Sequence, residues 1–181
     1  LGVLDWLAKP KADGRVGAIG FSFHDEYPIF QQIIDDYDGW DFCQIQYNYM
    51  DITEQAGTRG LKYAADKGLA MVVMEPLLGG KLANLPDSLA AAFKAANAER
   101  SLVEWAFNWL WDQPDVSLLL SGMSTMEQVV EDVELSARAA VGCMTAEDQE
   151  VIDQVRGAYN QFTPIHCTRC EYCLPCPNEV N

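Results

Sequence analysis

Leu69-Ala70-Met71-Val72-Val73-Met74-Glu75-Pro76-Leu77-Leu78-Gly79-Gly80-Lys81 is the stretch that decides the fold. Its six leading residues are all apolar, with no polar face. That reads as a strand buried on both sides, the habit of parallel sheets. Gly68 stops a helix just before it, and Pro76 with the glycine pair opens a loop just after it. A helix, a buried strand and a glycine-rich loop in that order make one βα unit.

The same unit recurs outward in both directions. Upstream, Thr53 to Lys67 predicts a helix and Asp41 to Tyr47 a strand. Before these, Glu26 to Tyr37 sets Tyr27, Phe30, Ile33 and Ile34 on one helical face, and Ala18 to Phe23 reads as a first strand. Downstream, Asp87 to Ala98 and Ser101 to Trp111 predict helices, the second opened by a capping box of Ser101 with Glu104. Val116 to Leu120 reads as a fourth strand. Ser124 with Glu127 predicts a helix to about Arg138, and Thr145 with Asp148 a last helix to about Phe162. Strand starts fall roughly 25 residues apart, widening before the fourth, as repeated βα units require. Four parallel strands under helices are either a small open sheet or half of an eight-stranded barrel.

Composition bounds what such a fold does. The 181 residues carry a formal net charge of −15, which repels nucleic-acid backbones and anionic lipid, so neither is an expected partner. No apolar run is long enough to span a bilayer and no signal peptide is recognisable; clustered thiols better suited to an inorganic core than to disulfides make a reducing cytoplasm the expected location. The chain opens on Leu1 inside a helical pattern and stops at Asn181 just after a cysteine cluster, which predicts a fragment of a longer protein.

Four of the six cysteines fall within ten residues, Cys167-Thr168-Arg169-Cys170-Glu171-Tyr172-Cys173-Leu174-Pro175-Cys176-Pro177. Disulfides among them would close short, strained loops, whereas a 4Fe–4S cube offers each thiolate one iron corner. Cys-x2-Cys-x2-Cys with a following Cys-Pro is the ferredoxin-type spacing, although the last gap is two residues instead of three. Structural zinc, the rival reading, normally uses two separated knuckles. Cys167, Cys170, Cys173 and Cys176 are therefore the expected metal ligands, with Cys176 alternatively serving a second cluster beyond Asn181. Cys43, in a strand beside Gln44, reads as core, and Cys143 as a weak ligand candidate. The chain divides into 1–162, the α/β part, and 163–181, the iron–sulfur segment.

Sites in parallel α/β folds form at the carboxyl ends of strands. Those ends carry Ser22 and His24, then Gln46, Tyr47 and Asn48, then Glu75 and Pro76, then Gly122 and Ser124. Turn and capping residues also gather there, so the pattern alone is ambiguous. Gly79-Gly80-Lys81 is compatible with a phosphate cradle and equally with a plain loop.

Four short motifs carry a resemblance. Gly17-x-Ile19-Gly20-x-Ser22-x-His24, Gln44-x-x-Tyr47-Asn48-x-x-Asp51, Glu75-Pro76-Leu77-x-Gly79-Gly80-x-Leu82 and Ser121-Gly122-x-Ser124, closing with Glu131-Asp132, lie in that order over most of the chain. With them the chain resembles the C-terminal half of an aldo/keto reductase, of the bacterial branch that carries a ferredoxin-type segment. The resemblance implies strands five to eight of a (β/α)8 TIM barrel, followed by the iron–sulfur segment. It implies a nicotinamide cofactor, NADP or NAD, across the carboxyl mouth. Ser22 and Gln44 match positions that hold the carboxamide, and the two should lie together. Leu77 and Gly79 match the loop over the pyrophosphate. Gly122, Ser124, Gln128 and Asp132 match the adenosine end. Phe23 stands where the family often has Asn, Asp132 where it has Asn, and no Lys or Arg occurs from Gly122 to Gln128. The catalytic Tyr, Lys, Asp and His of the family come from its first four strands, so no catalytic residue is expected here. The implied activity of the intact protein is hydride transfer to or from a small-molecule carbonyl or alcohol, with a redox partner protein as a further expectation. The alternative is a non-catalytic electron carrier or interaction module in which only the cluster works.

Overall fold

The computed structural model describes residues 2–162. The elements run α1 (Val3–Ala12), β1 (Gly20–Ser22), α2 (Tyr27–Asp35), β2 (Phe42–Gln46), α3 (Gly57–Asp66), β3 (Ala70–Met74), a short 3₁₀ turn (Lys81–Ala83), α4 (Asp87–Ala96), α5 (Leu102–Trp111), β4 (Leu118–Leu119), α6 (Met126–Ser136) and α7 (Ala146–Phe162). The strands form one sheet in the order β1-β2-β3-β4, and every pairing is parallel. The apolar run at Leu69 to Met74 does become a central strand. No helix among the described residues is long and apolar enough to cross a membrane.

Strand alternation gives the sheet two unlike faces. Phe21, Cys43 and Met71 stand in one row, and Ile45, Val73 and Leu119 in the next. Cys43, Ile45, Met71 and Val73 are at most 1% exposed, because helices cover that side. Phe30 and Ile34 of α2, Leu61 and Ala64 of α3, and Trp105 and Leu110 of α5 complete the core there. Aromatic pairs tie it together: Phe23 meets Phe30 edge-on at 5.0 Å, and Phe93 lies 4.9 Å from Trp105. The opposite face carries the row Ser22, Gln44, Val72 and Leu118. Among the described residues this row stays open: Ser22 is exposed, Gln44 and Val72 are half-buried, and Leu118 is 49% exposed. A closed barrel would turn this face inward.

Several local expectations shift. Both edge strands are shorter than the apolar runs that predict them. The helix expected from Thr53 starts at Gly57, because Ile52 is spent as a turn: its carbonyl accepts from the amide and the hydroxyl of Thr58. The capping box predicted at Ser124 and Glu127 sits one residue later. Thr125 Oγ1 accepts from the Gln128 amide at 3.3 Å, and Gln128 Oε1 accepts from the Thr125 amide at 3.2 Å. The Ser101 cap forms only its forward half, accepting from Glu104 N at 3.1 Å, while the Glu104 carboxylate turns to Arg138 at 3.7 Å. Thr145 and Asp148 do form the reciprocal pair, both bonds 3.1 Å.

The amino-terminal helix is pinned to the sheet by one carboxylate. Asp41 accepts from Lys11 Nζ at 2.5 Å and from the Ile19 amide at 2.8 Å. Lys11 first, and the amide second, hold the Asp41 carboxyl below its usual range.

Candidate functional site

The carboxyl edge of the sheet is where the chain ceases to be apolar. On the uncovered face Ser22 and Gln44 are register partners, and Gln44 Nε2 donates to Ser22 Oγ at 3.3 Å. The expected neighbourhood of these two residues is thus present in the structure. Gly20, one row back, carries no side chain because the ring of Phe42 lies over it. A Cβ at Gly20 would come within 2.6 Å of that ring and 2.4 Å of the Phe42 carbonyl.

The loops beyond the edge are braced by buried polar groups. Asn48 is fully buried and makes three bonds. Its Oδ1 accepts from the amides of Met50 and Asp51, both at 3.0 Å, and its Nδ2 donates to the Glu75 carbonyl at 3.1 Å. The loop after β2 is tied in this way to the loop after β3. Gln46 Nε2 donates to Asp51 at 2.9 Å in the same network. The Tyr47 hydroxyl pairs with Thr58 Oγ1 at 2.9 Å on the helix side. Much of the Gln44-to-Asp51 motif is thereby a scaffold that holds the edge.

The loop after β3 folds back through a run of left-handed residues: Glu75 (φ 56), Leu78 (φ 50), Gly79 (φ 62) and Gly80 (φ 84). A Cβ at Gly80 would meet nothing within 4 Å, so the glycine there serves backbone conformation and not space. Between this loop and the start of α6 lies a cleft of about 230 Å³. Leu77, Gly79, Gly122, Gln128 and Asp132 all line it. Five residues matched separately in sequence are thus brought to one place. Ser124 is not in the cleft wall; its amide donates to Gln128 Oε1 at 2.7 Å. Gln128 is partly consumed as a cap, a role the motif match did not anticipate. Glu75, noted in sequence as a strand-end residue, and Glu131 also line the cleft, and neither was matched to a part of the cofactor. Glu131 accepts from Ser101 Oγ at 2.7 Å, which fixes its carboxylate. Its place beside Asp132 in the last motif was the available clue.

The remaining candidates separate cleanly. Cys43 is fully buried, and burial pushes its thiol up to about 12, which makes it the inert core residue expected. The Cys143 thiol is likewise raised, by desolvation first and then by Asp112. His24 is exposed. Among the described residues no three His, Cys, Asp or Glu side chains gather to hold a metal ion. Cys167, Cys170, Cys173, Cys176 and His166 lie outside the described residues.

Comparison with known proteins bears on the family and the fold. The sequence profile of the Aldo/keto reductase family matches residues 1–155. Similar folds occur in the thermostable aldo-keto reductase Tm1743 bound to the inhibitor epalrestat (TM-score 0.64, 18% identity, 82% of this chain and 52% of that one). The holo form of aldo-keto reductase AKR11C1 from Bacillus halodurans is similar too (TM-score 0.65, 20% identity, 82% of this chain and 53% of that one). The chain spans about half the length of these solved structures. No curated protein matches it in sequence.

Proposed function

Because the chain belongs to the aldo/keto reductase family, we propose that it forms the cofactor-side half of an oxidoreductase acting on a small carbonyl compound or alcohol with a nicotinamide dinucleotide. In this reading β1 to β4 are the fifth to eighth strands of a (β/α)8 barrel. The observation that carries it is convergence: the Ser22–Gln44 pair and the cleft of Leu77, Gly79, Gly122, Gln128 and Asp132 lie along the same carboxyl edge.

The residues present fit the group. A side-chain amide beside a hydroxyl supplies the donors and acceptors that a carboxamide requires. The left-handed loop at Gly79 and Gly80 lets backbone come close to a pyrophosphate. The nicotinamide, when bound, supplies or takes up the hydride. Gln44 and Ser22 would hold the carboxamide of that group. The Asn48 brace holds the two loops at a constant separation, so the cleft is preorganised. The proton donor is assigned to the first four strands of the intact barrel, and no residue of this chain is given that role.

Cys167, Cys170, Cys173 and Cys176 are assigned to a 4Fe–4S cluster, since four thiolates match four iron corners. The cluster, when bound, adds one-electron transfer or a structural clasp.

Titration of the intact protein with reduced nicotinamide dinucleotides, followed by single-turnover reduction of aldehydes, tests the reading. Binding with oxidation of the cofactor is expected. Iron–sulfur reconstitution with no dinucleotide binding would instead favour an electron carrier whose barrel remnant is scaffold. The isolated chain should bind without turning over an aldehyde.

A further inference from the structure

A hollow of about 560 Å³ opens on the helical flank and shares no lining residue with the carboxyl-edge cleft. It lies between α3, the end of α5 with its link to β4, and α7. A volume of this size suits a small molecule. Ile52, Trp109 and Pro114 give it an apolar wall. At its base is Tyr47, 1% exposed. The Tyr47 hydroxyl lies 2.9 Å from Thr58 Oγ1 and 3.3 Å from Gln113 Oε1. Neither neighbour has a hydrogen to spare. The Thr58 hydroxyl donates to the Ile52 carbonyl at 3.1 Å, and Gln113 Nε2 donates to the Trp109 carbonyl at 3.0 Å. The single tyrosyl proton therefore faces two acceptors and satisfies one at a time. The base of the hollow is one donor short, and its occupant has to bring an N–H or O–H.

Charges of both signs line the same hollow, and part of the set is fixed by the protein itself. Asp112 accepts from the Met144 amide at 2.8 Å and from Gln149 Nε2 at 3.0 Å. Arg156 donates to the Tyr49 carbonyl, and to Asp153 at 2.7 Å. Lys62 on α3 and Asp115 in the link before β4 add a cation and a carboxylate on two different elements. Burial first raises the Tyr47 hydroxyl, the Thr58 bond and the Arg156 charge oppose the rise, and Asp115 adds to it. Arg156 and Asp115 thus both act on the base of the hollow. We propose that this hollow is a binding site for a small zwitterion with an apolar body, a free amino acid or a dipeptide. Its ammonium supplies the missing donor at Gln113 and faces Asp115. Its carboxylate meets Lys62, and its side chain packs on Trp109 and Pro114. A zwitterion carries no net charge, so the formal charge of −15 on the chain does not oppose its approach as it opposes an anion. A simple anion would leave the acceptor at the base unmet, and a simple cation would leave Lys62 unanswered.

The test is calorimetric titration of the intact protein with phenylalanine and, separately, with glycyl-phenylalanine. Phenylalanine amide, which lacks the carboxylate, and 3-phenylpropionate, which lacks the ammonium, are the controls. At least one zwitterion should bind about tenfold more tightly than either control, the factor that one charge-assisted hydrogen bond supplies. The tighter of the two zwitterions identifies the source. Asp115→Asn and Lys62→Gln should each weaken binding about tenfold. Lys62 is exposed, so Lys62→Gln carries the test even where Asp115→Asn loosens the fold. A saturating nicotinamide dinucleotide should leave the affinity unchanged, because the two hollows share no wall. Binding of neither zwitterion overturns the site. Controls that bind as tightly as the zwitterions overturn the ligand class. Affinity that survives both variants, or is lost to a dinucleotide, overturns the location.

Discussion

Replacing Asn48 by alanine tests whether the carboxyl edge is held by one buried side chain. Asn48 is 0% exposed and carries three bonds, two accepted from Met50 and Asp51 and one donated to Glu75. Each such bond contributes about 1 kcal/mol net, and a buried group left unmade costs about 1–3 kcal/mol. Partial relaxation lets water reach some of the freed amides, so the expected loss is about 3 kcal/mol. For a domain of this size that is a fall in Tm of about 6–12 °C. The same change frees the loop after β3, so dinucleotide affinity should weaken alongside stability. Asn48→Asp keeps both accepted bonds and loses only the donation, though it adds a buried charge; its loop geometry should be the better preserved. Urea unfolding monitored by tryptophan fluorescence, with calorimetric binding in parallel, measures both effects. A loss below about 1 kcal/mol with unchanged affinity would show that the loops hold their positions without this brace.

The other predictions address separate elements. Gly80→Ala forces a side chain onto φ 84 without any clash, so it should cost about 1–2 kcal/mol in a thermal melt, and a neutral result would refute the left-handed turn. Asp41 has its carboxyl lowered by Lys11 and the Ile19 amide, so its stabilisation is complete above its unfolded pKa and disappears as pH falls through the folded value. The stability gap between wild type and Asp41→Asn should accordingly be widest near neutral pH and close below about pH 4, and a gap independent of pH would remove Asp41 as the pin. Anaerobic reconstitution should give the visible absorption of a 4Fe–4S protein, and Cys170→Ser should abolish it; stoichiometric zinc without iron or sulfide would sink the cluster assignment.

The parts of the fold that were legible in sequence were those governed by burial. Six apolar residues in a row at Leu69 marked a strand, and β3 follows, although only its Met71 and Val73 face is buried and not both faces as expected. Ser22 and Gln44 stand in the same relation to their strands, so two parallel neighbours set them side by side. Frames governed by hydrogen bonding were harder to read. Ser124 with Glu127 and Thr125 with Gln128 satisfy the same capping template one residue apart, and only geometry selects the second. The late start of α3 reflects the turn at Ile52, a choice between helix and loop that the Thr53 stretch does not encode in its periodicity. Within the site, the motif match located the cleft, yet it could not tell a residue that contacts a ligand from one that holds the wall. Ser124 and Gln128 belong in large part to the second kind.

The uneven ladder has a consequence for self-association. Five register pairs join β2 to β3, three join β1 to β2, and two join β3 to β4. The sheet is thus thick in the middle and thin at both rims. Amide protons in the β2–β3 ladder need a sub-global opening to exchange with deuterium, whereas those at the rims are released by fraying. Strands of two and three residues are also poor templates for an incoming strand, since they offer too few consecutive donors and acceptors to register against. Association of one molecule with another is therefore expected through the flank that bears Val72 and Leu118, in amorphous or stacked form and not strand upon strand.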